Sequence, residues 1–370
     1  MPAGGATRAQ PGPSEVPLPL ELPAPSPLPG RIRPEAAVPC IEAFDHPEWR
    51  FTVDWEGSRA LLFAGSGAVR LQDETLADVT LRYPEMQAAR RRLGERALVL
   101  DGAVVVLDPD GRPDLTSLGL RLALGASGAR SLPAVYLAND ILYLDGSPTL
   151  SWPLDRRLAV LREVLEGCEP IQAPDHVDSR GRALADAASA RDLNALLARR
   201  GDAPYRPGIA SPDRLRVALD QRTTCAVAAV TSAAPGRSRG MVLAELQGAR
   251  WVIAGWVEAP ADRVVSRWVE RLAETLGTDA PFLDAPAQGA SVRWLRPGIT
   301  ATVVHEGRHA DGTLSAPALV AVRDDCDPTW CVRRAAVAPP EVDEARRGFV
   351  PTVLLPLPLD EASLLPHVSR

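Results

Sequence analysis

Two apolar runs constrain this chain more than anything else in it: "ALVLDGAVVVLD" at residues 97–108 and "AVYLANDILYLDG" at 134–146. Rich in Val, Leu and Tyr and punctuated by Asp-Gly, each reads as β-hairpin material closed by a DG or PDG turn. Around them, residues 81–94 and 153–167 space their apolar side chains as a helix does and end in Gly, and residues 178–201 contain a third helix. Residues 31–225 therefore read as an α+β unit in which helices accompany antiparallel sheets.

Residues 214–233 return to strand, and "PGRSRG" at 235–240 reads as a hinge leading to a second unit. A hairpin (241–259), an amphipathic helix (261–277) and further strands with tight turns (291–325) follow in that order. This sequence of elements suits a small β-barrel of the OB type, expected over residues 226–335. The flanks differ in kind. Residues 1–30 carry Pro every few positions, and residues 336–370 are apolar but broken by Pro, so both are expected to be tails.

A chain of 370 residues exceeds what one core usually serves, and its 46% apolar content excludes general disorder. A net charge of −6 does not announce nucleic-acid binding. No stretch approaches the ~20 apolar residues that span a bilayer and no secretory signal opens the chain, so no membrane partner and a cytoplasmic location are expected. Five scattered cysteines without CxxC spacing fit a reducing compartment, with neither zinc nor disulfide framework. All 41 residues counted as Lys or Arg are Arg. Arginine replaces lysine readily on a solvated face, and fails where the chemistry of an amine is required.

"HEGRH" at 305–309 matches the H-E-x-x-H pattern of zinc proteases, which needs both imidazoles one helical turn apart and Glu306 as base. Here the motif follows "TATVV", contains Gly307 and runs into "ADGT", all signs of a β-hairpin. On a strand, positions four apart lie roughly 13 Å from each other, too far for His305 and His309 to share a metal. No metal site is expected.

The remaining chemistry gathers at a charged elbow, "VDWEGSR" at 53–59, between two strand signals. With the runs that follow it, this stretch resembles the first motif of ATP-dependent DNA ligases, especially the ligase domain of bacterial ligase D. "LDGAVVVLDPDGRP" resembles that family's "LDGEIVVLDxxGRP", "NDILYLDG" its "FDLLYLDG", "ARRGDAPYRPG" its "AKRxDSPYRPG", and "DGTLSAPALVAVRDDCDP" its "DGRLRHPSFxGLRxDKxP". The likeness covers roughly residues 31–335 and implies an adenylation (nucleotidyltransferase) domain followed by an OB-fold barrel, with ATP and Mg2+ as family cofactors.

The resemblance also marks what is missing. It implies a nucleophilic Lys where this chain has Asp54, carboxylates where it has Ala103 and Asn194, an adenine-stacking aromatic where it has Asn139, and an Arg where it has Glu74. Trp55, Gly57 and Arg59 are kept, and Glu56 replaces Asp. The fifth motif retains Arg216 as one of two expected cations, and in the last motif Arg323 and Asp325 persist while the lysine is Cys326. Trp55, Glu56, Gly57, Arg59, Glu74, Asn139 and Arg216 would thus line a vestigial nucleotide pocket. Arg206, Arg216 and Arg323 are the candidate phosphate or DNA contacts. The bland accounts are turn geometry for Gly57 and Gly102, core packing for Trp55, and pairing with nearby acids for Arg59 and Arg206.

No catalytic set is intact on this reading, and no cofactor is expected. Three functions remain open: an inactive ligase homologue that accompanies DNA or end-joining repair proteins, a protein-interaction scaffold without DNA contact, or an active ligase.

Overall fold

The computed structural model describes residues 26–234, 237–279, 282–283, 291–333 and 338–341. Most of both expected tails lies outside these residues. Three sheets organise the chain.

In the first sheet the order is Ala36–Cys40, Ala210–Ala218, Ala195–Arg200, Asp45–Val53 and Val177–Arg180. The second runs Ala68–Asp73, Ser58–Gly65, Leu98–Val106, Ala134–Leu144 and Ser147–Pro148, with Ile171–Gln172 added alongside Ala134–Leu144. Pairing is antiparallel except at Ala36–Cys40 with Ala210–Ala218 and at Ile171–Gln172 with Ala134–Leu144. The elbow at 54–57 carries the chain from the first sheet into the second.

The third sheet, Arg250–Glu258, Arg237–Gln247, Arg222–Ala234, Thr300–Val304 and Ala318–Arg323, is antiparallel throughout, and Ser291–Trp294 pairs with Arg222–Ala234. The helix Arg263–Leu276 starts on an Asp262 cap whose carboxylate accepts from the backbone N–H groups of Val264 and Val265.

Several expectations need correction. The run 97–108 is not a hairpin: Leu98–Val106 is one strand paired on both edges, with Asp101-Gly102 in its middle. Gly102 is there for space rather than a turn. A Cβ on it would lie 2.3 Å from the Leu137 carbonyl oxygen and 2.8 Å from the Tyr136 ring. Asp145-Gly146, by contrast, is a true turn, with both residues at positive φ (44° and 91°) and short pairing of Leu144 with Ser147 behind it. The PDG segment also turns, Asp108 capping it through the N–H groups of Asp110 and Arg112.

Residues 81–94 are mainly 3₁₀ turns ending in one α-helical turn, Arg90–Leu93, stopped by Gly94 at φ 62°. Helices Leu154–Leu165 and Gly181–Ser189 form as expected. A helix at Leu115–Leu124, not anticipated from the sequence, begins on the Asp114 side chain, which accepts from the Ser117 N–H. The "PGRSRG" segment is not a hinge between units: it joins two neighbouring strands of the third sheet. The chain passes from the first sheet to the third across residues 219–221 instead.

The third sheet is not separate from the rest. Leu118 and Leu122 of the unanticipated helix belong to one apolar cluster with Leu62 and Leu100 of the second sheet and Ala321 and Val322 of the third. Bidentate pairing of Arg82 with Asp324 (2.6 and 2.7 Å) and the Arg33–Asp327 pair (3.1 Å) cross the same junction.

Candidate functional site

The elbow is built by steric need. A Cβ on Gly57 would lie 2.4 Å from the Val104 carbonyl oxygen, so only Gly lets the turn lie against the neighbouring strand. Glu56 takes positive φ (38°), and the Asp54 N–H donates to the Ala195 carbonyl at 2.9 Å. Trp55 turns inward, 4% exposed, into the apolar cluster beneath the first sheet. Core packing is thus what Trp55 does.

Around the bend, charge meets charge. Arg216 reaches from Ala210–Ala218 to place Nε 2.7 Å from Asp54 Oδ2 and a second nitrogen 3.1 Å from Glu56 Oε1. Glu56 also meets Arg222 at 3.3 Å and accepts from the Asn194 amide at 2.9 Å, while Arg222 holds Asp220 at 2.7 Å. Burial pushes the Glu56 carboxyl above its ordinary pKa, against the pull of Arg216. Burial likewise opposes the charge on Arg216, but Asp54 and Glu56 outweigh it and raise its pKa.

A second cluster lies behind the elbow. Arg59 grips Asp101 with two bonds of 2.8 and 2.7 Å, Tyr205 donates to the same carboxylate at 3.0 Å, and Arg214 stands 3.6 Å away. Burial works against ionised Asp101, yet these partners hold its pKa below the usual range. Ala103, where the likeness implies a carboxylate, pairs across the sheet with Arg59 and offers only a methyl group.

The third cluster joins the sheets. Arg323 pairs bidentately with Asp325 (2.9 and 2.7 Å), both buried, and Ser58 hydrogen-bonds Asp325. Glu74 sits where Arg59 and Arg323 act on it; burial raises its pKa to about 7 in spite of them.

The structure therefore brings Asp54, Glu56, Asn194 and Arg216 together, and puts Arg59 and Glu74 next to each other one layer behind. Asn139 is elsewhere: its carbonyl accepts from Arg199, its side-chain oxygen is buried without a partner, and its neighbour Asp140 is taken by Arg157. Arg206 pairs with Asp213 at 2.9 Å. Asp101, Tyr205, Arg214, Asp220 and Arg222 escaped the sequence reading. Asp101 stood inside the "LDG" of a recognised motif, and its role needed only the question of which acid answers Arg59.

His305 is not a metal ligand. It lies on the irregular turn after Thr300–Val304, with Nε2 2.9 Å from the Thr223 hydroxyl and Nδ1 accepting from Gly307 N–H. Among the described residues, no three His, Cys, Asp or Glu side chains converge to hold a metal.

Residues 36–215 match the family described as ATP dependent DNA ligase domain. This chain carries a domain of the ATP-dependent DNA ligase family. LigD of Mycobacterium tuberculosis, a multifunctional non-homologous end joining DNA repair protein, is 27% identical over 292 residues, covering 77% of this chain and 37% of LigD. Pseudomonas aeruginosa LigD is 26% identical over 337 residues, 87% of this chain and 39% of that protein. The chain thus spans less than two-fifths of these ligase relatives. The solved structure "mycobacterial DNA ligase D complexed with ATP and MES" matches at 25% identity and TM-score 0.58, over 82% of this chain and 98% of the other. The fold is accordingly the α+β nucleotidyltransferase fold of a ligase D ligase domain.

The family's nucleotide does not fit the residues at the elbow, and Ala103 and Asn194 offer a divalent cation no carboxylate where the likeness implies two. A triphosphate at the elbow meets Asp54 and Glu56 as like charges. The cation facing it, Arg216, already has both carboxylates as partners.

Proposed function

We propose that this chain is a ligase-family scaffold without adenylyl-transfer activity, serving as an accessory in DNA end joining. One observation carries the reading: at the position where the family likeness implies a lysine nucleophile, Asp54 is ion-paired to Arg216, and none of the 370 residues is lysine. The lysyl phosphoramidate of the family needs an ε-amine, and no side chain of this sequence carries one. Ala103 and Asn194 remove two further carboxylates expected to assist phosphoryl transfer.

On this reading the first two sheets are the adenylation-type unit, ending near 219–221, and the third sheet with its helix is an OB-type barrel. The five cysteines are free, four of them buried, which agrees with a reducing cytoplasm. DNA is the proposed partner, by virtue of the family and its end-joining relatives.

Incubation with radiolabelled ATP and magnesium is expected to give no protein-linked AMP; a labelled protein band overturns the proposal. A second reading, a protein scaffold without DNA contact, is favoured by the pairing of Arg206, Arg216 and Arg323 with Asp213, Asp54 and Asp325. Electrophoretic mobility shift at 50 mM salt separates the two. Binding that weakens with salt supports DNA contact, and no shift supports the scaffold.

A further inference from the structure

Beside the elbow, outside the charged clusters, the fold forms a half-open cleft of about 630 Å³. That volume lies within the range of sites for small organic ligands, about 300–1,000 Å³. Val53, Trp55, Leu165, Ile171, Val177 and Leu184 give it an apolar lining. Trp55 forms part of its inner wall, 4% exposed, and its buried indole N–H has no hydrogen-bond partner.

The charged lining is one-sided. Glu163, Glu166, Glu169 and Asp175 reach the cavity, against a single cation, Arg162. Arg162 is already 3.5 Å from Asp175 and 3.1 Å from the His176 ring, so it leaves Glu163, Glu166 and Glu169 uncompensated. Arg92 and Arg96 act on Cys168 nearby but do not line the cavity. The opening is braced, because the Thr52 hydroxyl on one wall donates to the Asp175 carbonyl on the other at 3.0 Å.

We propose that this cavity binds a small organic cation, an apolar body bearing an amidinium or ammonium group. The apolar body takes the place of water against Ala173, Pro174 and Val177, and the cation meets the three unpaired glutamates at the rim. Phosphorylated ligands are disfavoured by the same carboxylates. This goes beyond the loss of adenylyl transfer and does not depend on it: a protein-AMP band would leave the cavity's charge and lining as they are.

The probe is p-aminobenzamidine, whose fluorescence rises when it leaves water for an apolar site. Titrated into the full chain, it is expected to bind saturably. Binding should weaken at least tenfold in the Glu163→Gln/Glu166→Gln/Glu169→Gln variant and be lost in Ala173→Phe, which fills the cavity wall. All three glutamates are exposed, so the triple variant should retain the wild-type melting temperature. The neutral analogue p-aminobenzamide should bind at least tenfold more weakly. Equal binding of the neutral amide, unchanged binding in the triple variant, displacement by ATP, or no saturable signal up to millimolar probe each overturns the proposal.

Discussion

The elbow and the sheet junction both consist of arginines facing carboxylates, yet they stand in different solvent. At the elbow, Asp54 and Arg216 are each about one-third exposed (31% and 32%). At the junction, Arg323 and Asp325 are 8% and 2% exposed and sit over a core shared by the second and third sheets. A partly solvated pair adds little to stability, whereas a buried pair penalises the loss of either partner heavily. The charge of Asp54 is therefore replaceable without loss of the fold, while the junction's charges fix how the two parts of the molecule meet.

The largest expected effect tests that contrast at the junction. Arg323→Met leaves Asp325 buried without its bidentate partner, with Ser58, its own backbone N–H and the Cys326 thiol as the remaining donors. Removing one member of such a pair costs about 3–5 kcal/mol. Urea denaturation should show that loss, and the Arg323→Met/Asp325→Leu double variant should recover most of it. A loss below about 1 kcal/mol in the single variant would place the junction in the same class as the elbow.

Next comes the elbow's backbone, which is not replaceable. Gly57→Ala drives a methyl group toward the Val104 carbonyl, and the strand behind it cannot retreat without breaking its pairing with Ser58–Gly65. Overpacking of this kind costs about 1–3 kcal/mol. Thermal melting should report it, and an unchanged midpoint would mean that the close approach is dispensable.

These two positions also show what was legible in the sequence. The family scaffold could be read because its turns and strands recur in order, and the elbow because Gly57 and Arg59 stand at fixed offsets within it. Local signals failed where tertiary contact overrides them. Asp101-Gly102 looks like Asp145-Gly146, but the first lies mid-strand with Tyr136 packed beneath Gly102, whereas both residues of the second take positive φ and turn the chain. The helix Leu115–Leu124 hid behind "DLTSLGLRLAL", whose Asp114 cap was legible but whose Gly119 weakened the helical pattern. That glycine faces Ala321 and Val322, a contact no local reading can supply. The partners of Arg59 and Arg216 were hidden for the same reason: Asp101 and Asp54 stand 42 and 162 residues away along the chain, and such pairs leave no spacing in the sequence.

A smaller effect at the junction should appear as pH dependence. Burial raises the Glu74 pKa from 4.5 to about 7, against Arg59 and Arg323. A carboxyl whose folded pKa is raised favours folding while it is protonated. Its contribution is present below about pH 4.5 and is lost as pH rises through about 7. Partial access to water weakens the effect. The difference in stability between wild type and Glu74→Gln should therefore shift in favour of the variant between pH 4.5 and 7.5. Parallel stability curves for the two proteins would show that Glu74 does not titrate in this window.

The smallest expected effect is at Asp54. Asp54→Asn removes one partner of Arg216 but leaves Glu56 3.1 Å away, so the guanidinium keeps a counter-charge. For a pair this exposed the loss is about 0–1 kcal/mol. Asp54→Lys is the sharper form of the same experiment, because it restores the amine that the family likeness implies. It should yield no protein-linked AMP, since Arg216 and Arg222 would then stand beside the new cation, and Ala103 and Asn194 still supply no carboxylate. The absence of label in a folded Asp54→Lys protein would show that activity was lost at several positions together. A labelled band would reduce the difference between this chain and an active ligase to one side chain.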